Sequence, residues 1–62
     1  MSSKVDIVIK RLVRGEIDIQ TACAMLGVTV MWLLNEMVER GYVREALILA
    51  KRLNIFLNIS YR

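Results

Sequence analysis

The feature that most constrains this chain is the punctuation of residues 18–41, DIQTACAMLGVTVMWLLNEMVERG. Asp18 stands before an apolar run, Gly27 interrupts it, Thr29 opens a second run and Gly41 stops that one. A short side-chain acceptor ahead of a helix can take one of the backbone N–H groups left unpartnered in the first turn. Glycine can adopt the left-handed conformation that ends a helix without a steric penalty. The spacing therefore predicts helices over residues 19–26 and 30–40, joined as a helix-turn-helix. Ala22 and Cys23 are expected at the close crossing of these helices, Val28 plugs the core from the turn, and Leu33 faces inward. Cys23 reads as a small packed residue, since no histidine or basic residue lies beside it to favour the thiolate.

The flanks also read as helix. Ser2 and Ser3 can cap a first helix running to about Val13, with Val5, Val8, Ile9, Leu12 and Val13 at three- and four-residue steps and Ile7 off the stripe. Gly15 ends it. After Gly41, a last helix begins near Arg44, with one stripe at Val43, Ala46, Leu47, Ala50 and Leu53 and a second at Ile48 and Leu49. Residues 54–62, NIFLNISYR, alternate as a strand does but also fit a helix, and continuation of the helix to about Leu57 is favoured. The fold class expected is all-α, one domain of about four helices over residues 1–62.

Charge is segregated along the chain. Residues 1–15 carry Lys4, Lys10, Arg11 and Arg14 against Asp6, a net +3; residues 41–62 carry Arg44, Lys51, Arg52 and Arg62 against Glu45, again +3. Between them, residues 16–40 carry Glu16, Asp18, Glu36 and Glu39 against Arg40, a net −3. Attraction to phosphates must then come from the flanks rather than from the motif. Lys10, Arg11 and Arg14 serve either as a phosphate-contacting patch or as charges suited to the negative pole of the first helix.

The second helix of the motif carries a broad apolar arc, with Asn35, Glu39, Trp32 and Glu36 on the other side. Docked in a major groove, it would present about Val30, Met31, Leu34, Asn35 and Val38. Of these only Asn35 can hydrogen-bond to a base edge. Trp32 on the polar arc marks either a contact surface or a ring half covered by its own chain.

Hydrophobic residues make up 56% of only 62 residues, more than so small an interior can hide. One cysteine and no histidine allow neither an internal disulfide nor a credible zinc set. A partner chain is the simplest remaining outlet, and a homodimer is expected through residues 43–62, with Leu47, Ile48, Leu49, Ile55, Phe56 and Ile59 at the interface. The longest uncharged run, residues 19–35, is 17 residues long and holds a central glycine and polar groups, which argues against a membrane span. No signal peptide is visible, and a free cysteine fits a reducing, cytoplasmic compartment. No phosphate loop, triad or paired carboxylates are present, so neither catalysis nor a cofactor is expected.

Residues 8–42 resemble the short helix-turn-helix proteins of archaea and bacteria regarded as antitoxin components of toxin–antitoxin loci. The resemblance rests on Leu12, Gly15, Asp18, Ala22 with Cys23, Gly27, Thr29, Leu33 and the closing Glu39, Arg40 and Gly41, with the first two glycines twelve positions apart. It implies DNA binding at a promoter and neutralisation of a protein toxin. The function expected is thus a small dimeric DNA-binding regulator or antitoxin-like protein. Lys10, Arg11, Arg14, Thr29, Asn35, Arg44, Lys51 and Arg52 are its candidate contacts to double-stranded DNA. The alternative is a protein-interaction or dimerisation module on a helix-turn-helix scaffold that does not read DNA.

Overall fold

The computed structural model describes residues 3–57, and these form four helices and no strand. Helix α1 spans Lys4–Val13. The Ser3 hydroxyl accepts from the Asp6 N–H at 3.1 Å, Asp6 lies in the first turn, and Lys10 and Arg11 lie in the last, matching both poles of the helix dipole. Gly15, at φ +78°, reverses the chain. Its N–H reaches the Leu12 carbonyl at 3.1 Å and the Glu16 N–H reaches that of Arg11 at 3.0 Å, so two otherwise open carbonyls are satisfied. Val8, Ile9 and Leu12 are buried, and Val5 leans on the core. Val13, expected on the same stripe, is exposed, because it lies about 100° around the helix from Leu12.

Helix α2, Ile19–Leu26, starts at Asp18, whose carboxylate accepts from the Thr21 N–H at 2.7 Å. It ends at Gly27, φ +67°, with the Val28 N–H turned back to the Cys23 carbonyl. Helix α3, Val30–Glu39, starts at Thr29, whose hydroxyl accepts from the Trp32 N–H at 3.1 Å. The α2 and α3 axes are bent by 92° across this short turn. Ala22 has no exposed surface and Cys23 almost none, so the bend is closed over small side chains.

Helix α4, Val43–Arg52, packs along α3 through Ala46 and Ala50, both buried. It does not run on to Leu57. Leu53 caps it, Asn54 takes the left-handed conformation at φ +57°, and the Ile55 N–H returns to the Ala50 carbonyl at 2.8 Å. Asparagine tolerates that conformation better than other residues with a Cβ, which is why the helix stops there. Residues 54–57 are neither helix nor strand; the rest of the C-terminal run, residues 58–62, lies outside the described residues.

The core is shared by all four helices, and no buried polar or charged side chain lies among the described residues. Leu33, Leu34 and Met37 on α3 have zero exposure. Each contributes about 1.5–3 kcal/mol of gross apolar burial. Arg40, at the end of α3, lies 3.1 Å from Glu36 and 3.9 Å from Asp6, which also meets Lys10 at 3.2 Å, so α1 and α3 are joined at the surface as well as in the core. Among the described residues no single helix is long and apolar enough to cross a membrane.

Candidate interaction surfaces

Helix α3 sets the character of the motif's outer face. Leu33, Leu34 and Met37 point fully inward, with Val30 and Val38 half-buried at the margins. Met31, Trp32, Asn35 and Glu39 are left exposed. Leu34, one of the positions the sequence directs toward a groove, is instead core, since α3 packs against α4 as well as α2. The outward face is therefore a thioether, an indole, one amide and one carboxylate. Asn35 is the one amide on it that could pair bidentately with a base edge, and Glu39 would face phosphates with the wrong sign.

The basic residues fall into two groups with different surroundings. At the end of α1, Arg11 and Arg14 lie 3.5 and 3.7 Å from Glu16, which the turn at Gly15 brings back against the helix, and Lys10 lies 3.2 Å from Asp6. These three cations are shared with two carboxylates, so they present less free positive charge than the sequence suggests. On α4, Arg44, Lys51 and Arg52 are exposed, and none takes part in an ion pair among the described residues. Thr29 is engaged as the α3 cap, its oxygen accepting the Trp32 N–H at 3.1 Å, which leaves its hydroxyl proton and one lone pair to offer.

The proposed dimer residues divide in the same way. Leu47 and Ile48 are 41% and 44% exposed and Phe56 is 87% exposed. Leu49 and Ile55 are half-buried and pack against the core of their own chain, so each offers less surface to an interface. Helix α4 winds Leu49 toward α1, and the turn at Asn54 folds Ile55 back under Ala50. Ile59 lies outside the described residues. Beside Phe56 runs an open groove of about 500 Å³ bounded by Leu47, Ala50, Lys51 and Leu57.

Cys23 is buried at the α2–α3 crossing, and desolvation pushes its thiol pKa up, which keeps it a neutral packed group. Among the described residues no cluster of histidine, cysteine or carboxylate side chains could hold a metal ion. The sequence places Met31 toward a groove and marks Trp32 as a contact surface or a half-covered ring; it assigns no contact to Glu39, whose signal is its phase, since positions 31, 32, 35 and 39 recur on one side of a 3.6-residue helix.

No family model matches the chain, and comparison with curated proteins and with solved structures gives no significant match.

Proposed function

We propose that this chain is a helix-turn-helix scaffold used for protein association, a dimerising, antitoxin-like module whose α3 meets protein rather than base edges. The observation that carries this reading is the outward face of α3, where Met31 and Trp32 are exposed beside Asn35 and Glu39. Exposed methionine and tryptophan are costly in water and enriched where proteins meet, whereas a groove-reading helix needs donors and positive charge. The perpendicular α2–α3 arrangement and three-residue turn support the scaffold, and the resemblance to antitoxin components supports a protein partner. Dimerisation is supported by the uncovered Leu47, Ile48 and Phe56. Sedimentation equilibrium at low micromolar concentration tests the reading. Wild type should associate, and Met31→Ser with Trp32→Ala should weaken association while leaving stability within about 0.5 kcal/mol, as for other surface changes.

A second reading, sequence-tolerant binding of duplex DNA, is favoured by one observation: Arg44, Lys51 and Arg52 carry no ion pairs among the described residues. On that reading affinity falls steeply with salt, and replacing these three by alanine flattens the salt slope by about one unit per lost contact. A labelled duplex titrated at several salt concentrations separates the two. Tight, sequence-selective binding lost in an Asn35→Ala variant would put DNA recognition first.

A further inference from the structure

Two exposed helix faces on this chain are complementary in both charge and apolar content. On α4, Arg44, Leu47, Ile48 and Lys51 follow the steps i, i+3, i+4 and i+7, so they line one side of the helix, and all four are exposed. On α3, Met31, Trp32, Asn35 and Glu39 line the outward side. The first face is two cations around two aliphatic side chains. The second is a carboxylate and an aromatic ring around an amide and a thioether.

None of Glu39, Arg44 and Lys51 is engaged in an ion pair among the described residues, whereas Glu36 and Arg40 already hold each other at 3.1 Å. The charges that would cross an interface are thus the ones the fold leaves unused. Their spacing also matches. Arg44 and Lys51 are seven residues apart, as are Trp32 and Glu39, and seven helical residues span about 10.5 Å.

We propose that the α4 face of each copy is covered by the α3 face of a second copy, in a closed twofold dimer. This rests on the association reading above and names the surface that receives α4. In such a pair one cation of α4 meets the partner's Glu39, while the other lies over the partner's Trp32 ring, where a cation is attracted by the π face. Leu47 and Ile48 lie against the partner's Met31 and the aliphatic part of its Asn35, so the apolar positions of both faces leave water together. A twofold axis uses each contact twice, which is how one modest helix face can serve as half of a stable interface.

The test uses the full chain and two charge-reversed variants, one carrying Glu39→Arg and the other Arg44→Glu with Lys51→Glu. Each variant alone places like charges at position 39 against α4, twice in the twofold pair, and sedimentation equilibrium should show association weakened at least about tenfold. Mixed in equal amounts, the two variants present opposite charges at position 39 in both twofold-related contacts, with a cation kept over one of the two Trp32 rings, and a heterodimer should form at least about tenfold more tightly than either variant self-associates. Recovery on mixing also shows that both variants fold. If wild type dimerises and the variants dimerise equally well, or fail to recover on mixing, this assignment is overturned while association itself stands. A wild type that stays monomeric overturns both. If the α4 variant instead loses binding to a labelled duplex or to anionic lipid vesicles while wild-type dimerisation is untouched, the α4 face belongs to that other surface and the assignment is again overturned.

Discussion

The Asp18 carboxylate accepts from the Thr21 N–H at 2.7 Å, shorter than the 3.1 Å of the corresponding bonds from Asp6 N–H to Ser3 and from Trp32 N–H to Thr29. The bond favours the charged carboxylate. Bonds from the Thr21 backbone, and then from its side chain, lower the Asp18 pKa below its ordinary value of 3.8, against a smaller desolvation effect. A lowered folded-state value means the contribution is fully present above the unfolded value and is lost as pH falls through the folded one.

The Asp18→Ala variant should therefore melt below wild type at neutral pH, with the gap closing as pH drops below about 3.8, the ordinary value. Asp18→Asn should stay near wild type at neutral pH, because asparagine caps about as well, yet lack the acid-dependent part. Thermal melts from pH 7 to pH 2 check this; a gap independent of pH would mean that the cap does not act through its charge.

Gly27 sits at φ +67°, and a Cβ there would meet no atom within 4 Å. The cost of a side chain is then purely conformational. Gly27→Ala should destabilise by about 1–2 kcal/mol, Gly27→Val by more, and Gly27→Asn by the least. Chemical denaturation ranks the three. Equal midpoints for all of them would show that the turn can relax away from the left-handed conformation.

Asn54 holds the left-handed position that ends α4 at φ +57°. Glycine adopts it with less strain, so Asn54→Gly should be neutral to stabilising, by up to about 1 kcal/mol, while Asn54→Val should destabilise. A gain in helix content for Asn54→Ala on circular dichroism, without loss of stability, would mean that the stop is set elsewhere.

Leu34 and Met31 distinguish the inner from the outer side of α3, at zero and 42% exposure. Leu34→Ala should cost about 2–5 kcal/mol, enough to unfold much of so small a domain, whereas Met31→Ala should stay within about 0.5 kcal/mol in stability. Urea titrations under conditions that keep the chain monomeric give both values. Similar losses for the two would place the helix in a different rotation.

What the sequence made legible follows from how local the causes are. Ser3, Asp18 and Thr29 each bond to an N–H three residues on, and Gly15, Gly27 and Gly41 each sit at positive φ, so those six positions carry most of the helix boundaries within short windows. Asn54 followed by Ile55 is the same stop signal in a residue less diagnostic than glycine, and the strand-like alternation around it hid the signal. The burial of Leu34 escaped the sequence for a different reason. Periodicity shows that a residue is apolar and on a broad arc, but the packing of α4 on α3 decides which edge of the arc is covered. The α1 cations read as a free patch because Glu16 is beyond the helix; only the reversal at Gly15 returns its carboxylate to Arg11 and Arg14.

Trp32 is the sole tryptophan of the chain and lies 43% exposed on the face assigned to protein contact, so its fluorescence reports on that face alone. Emission recorded over a dilution series, with acrylamide quenching at each concentration, tests the central claim most directly. The account predicts a blue-shifted, protected indole at high protein concentration that becomes red-shifted and quenchable on dilution, with no further change when duplex DNA is added at physiological salt. An indole equally quenchable at every concentration, shifted only by duplex of a particular sequence, would contradict it.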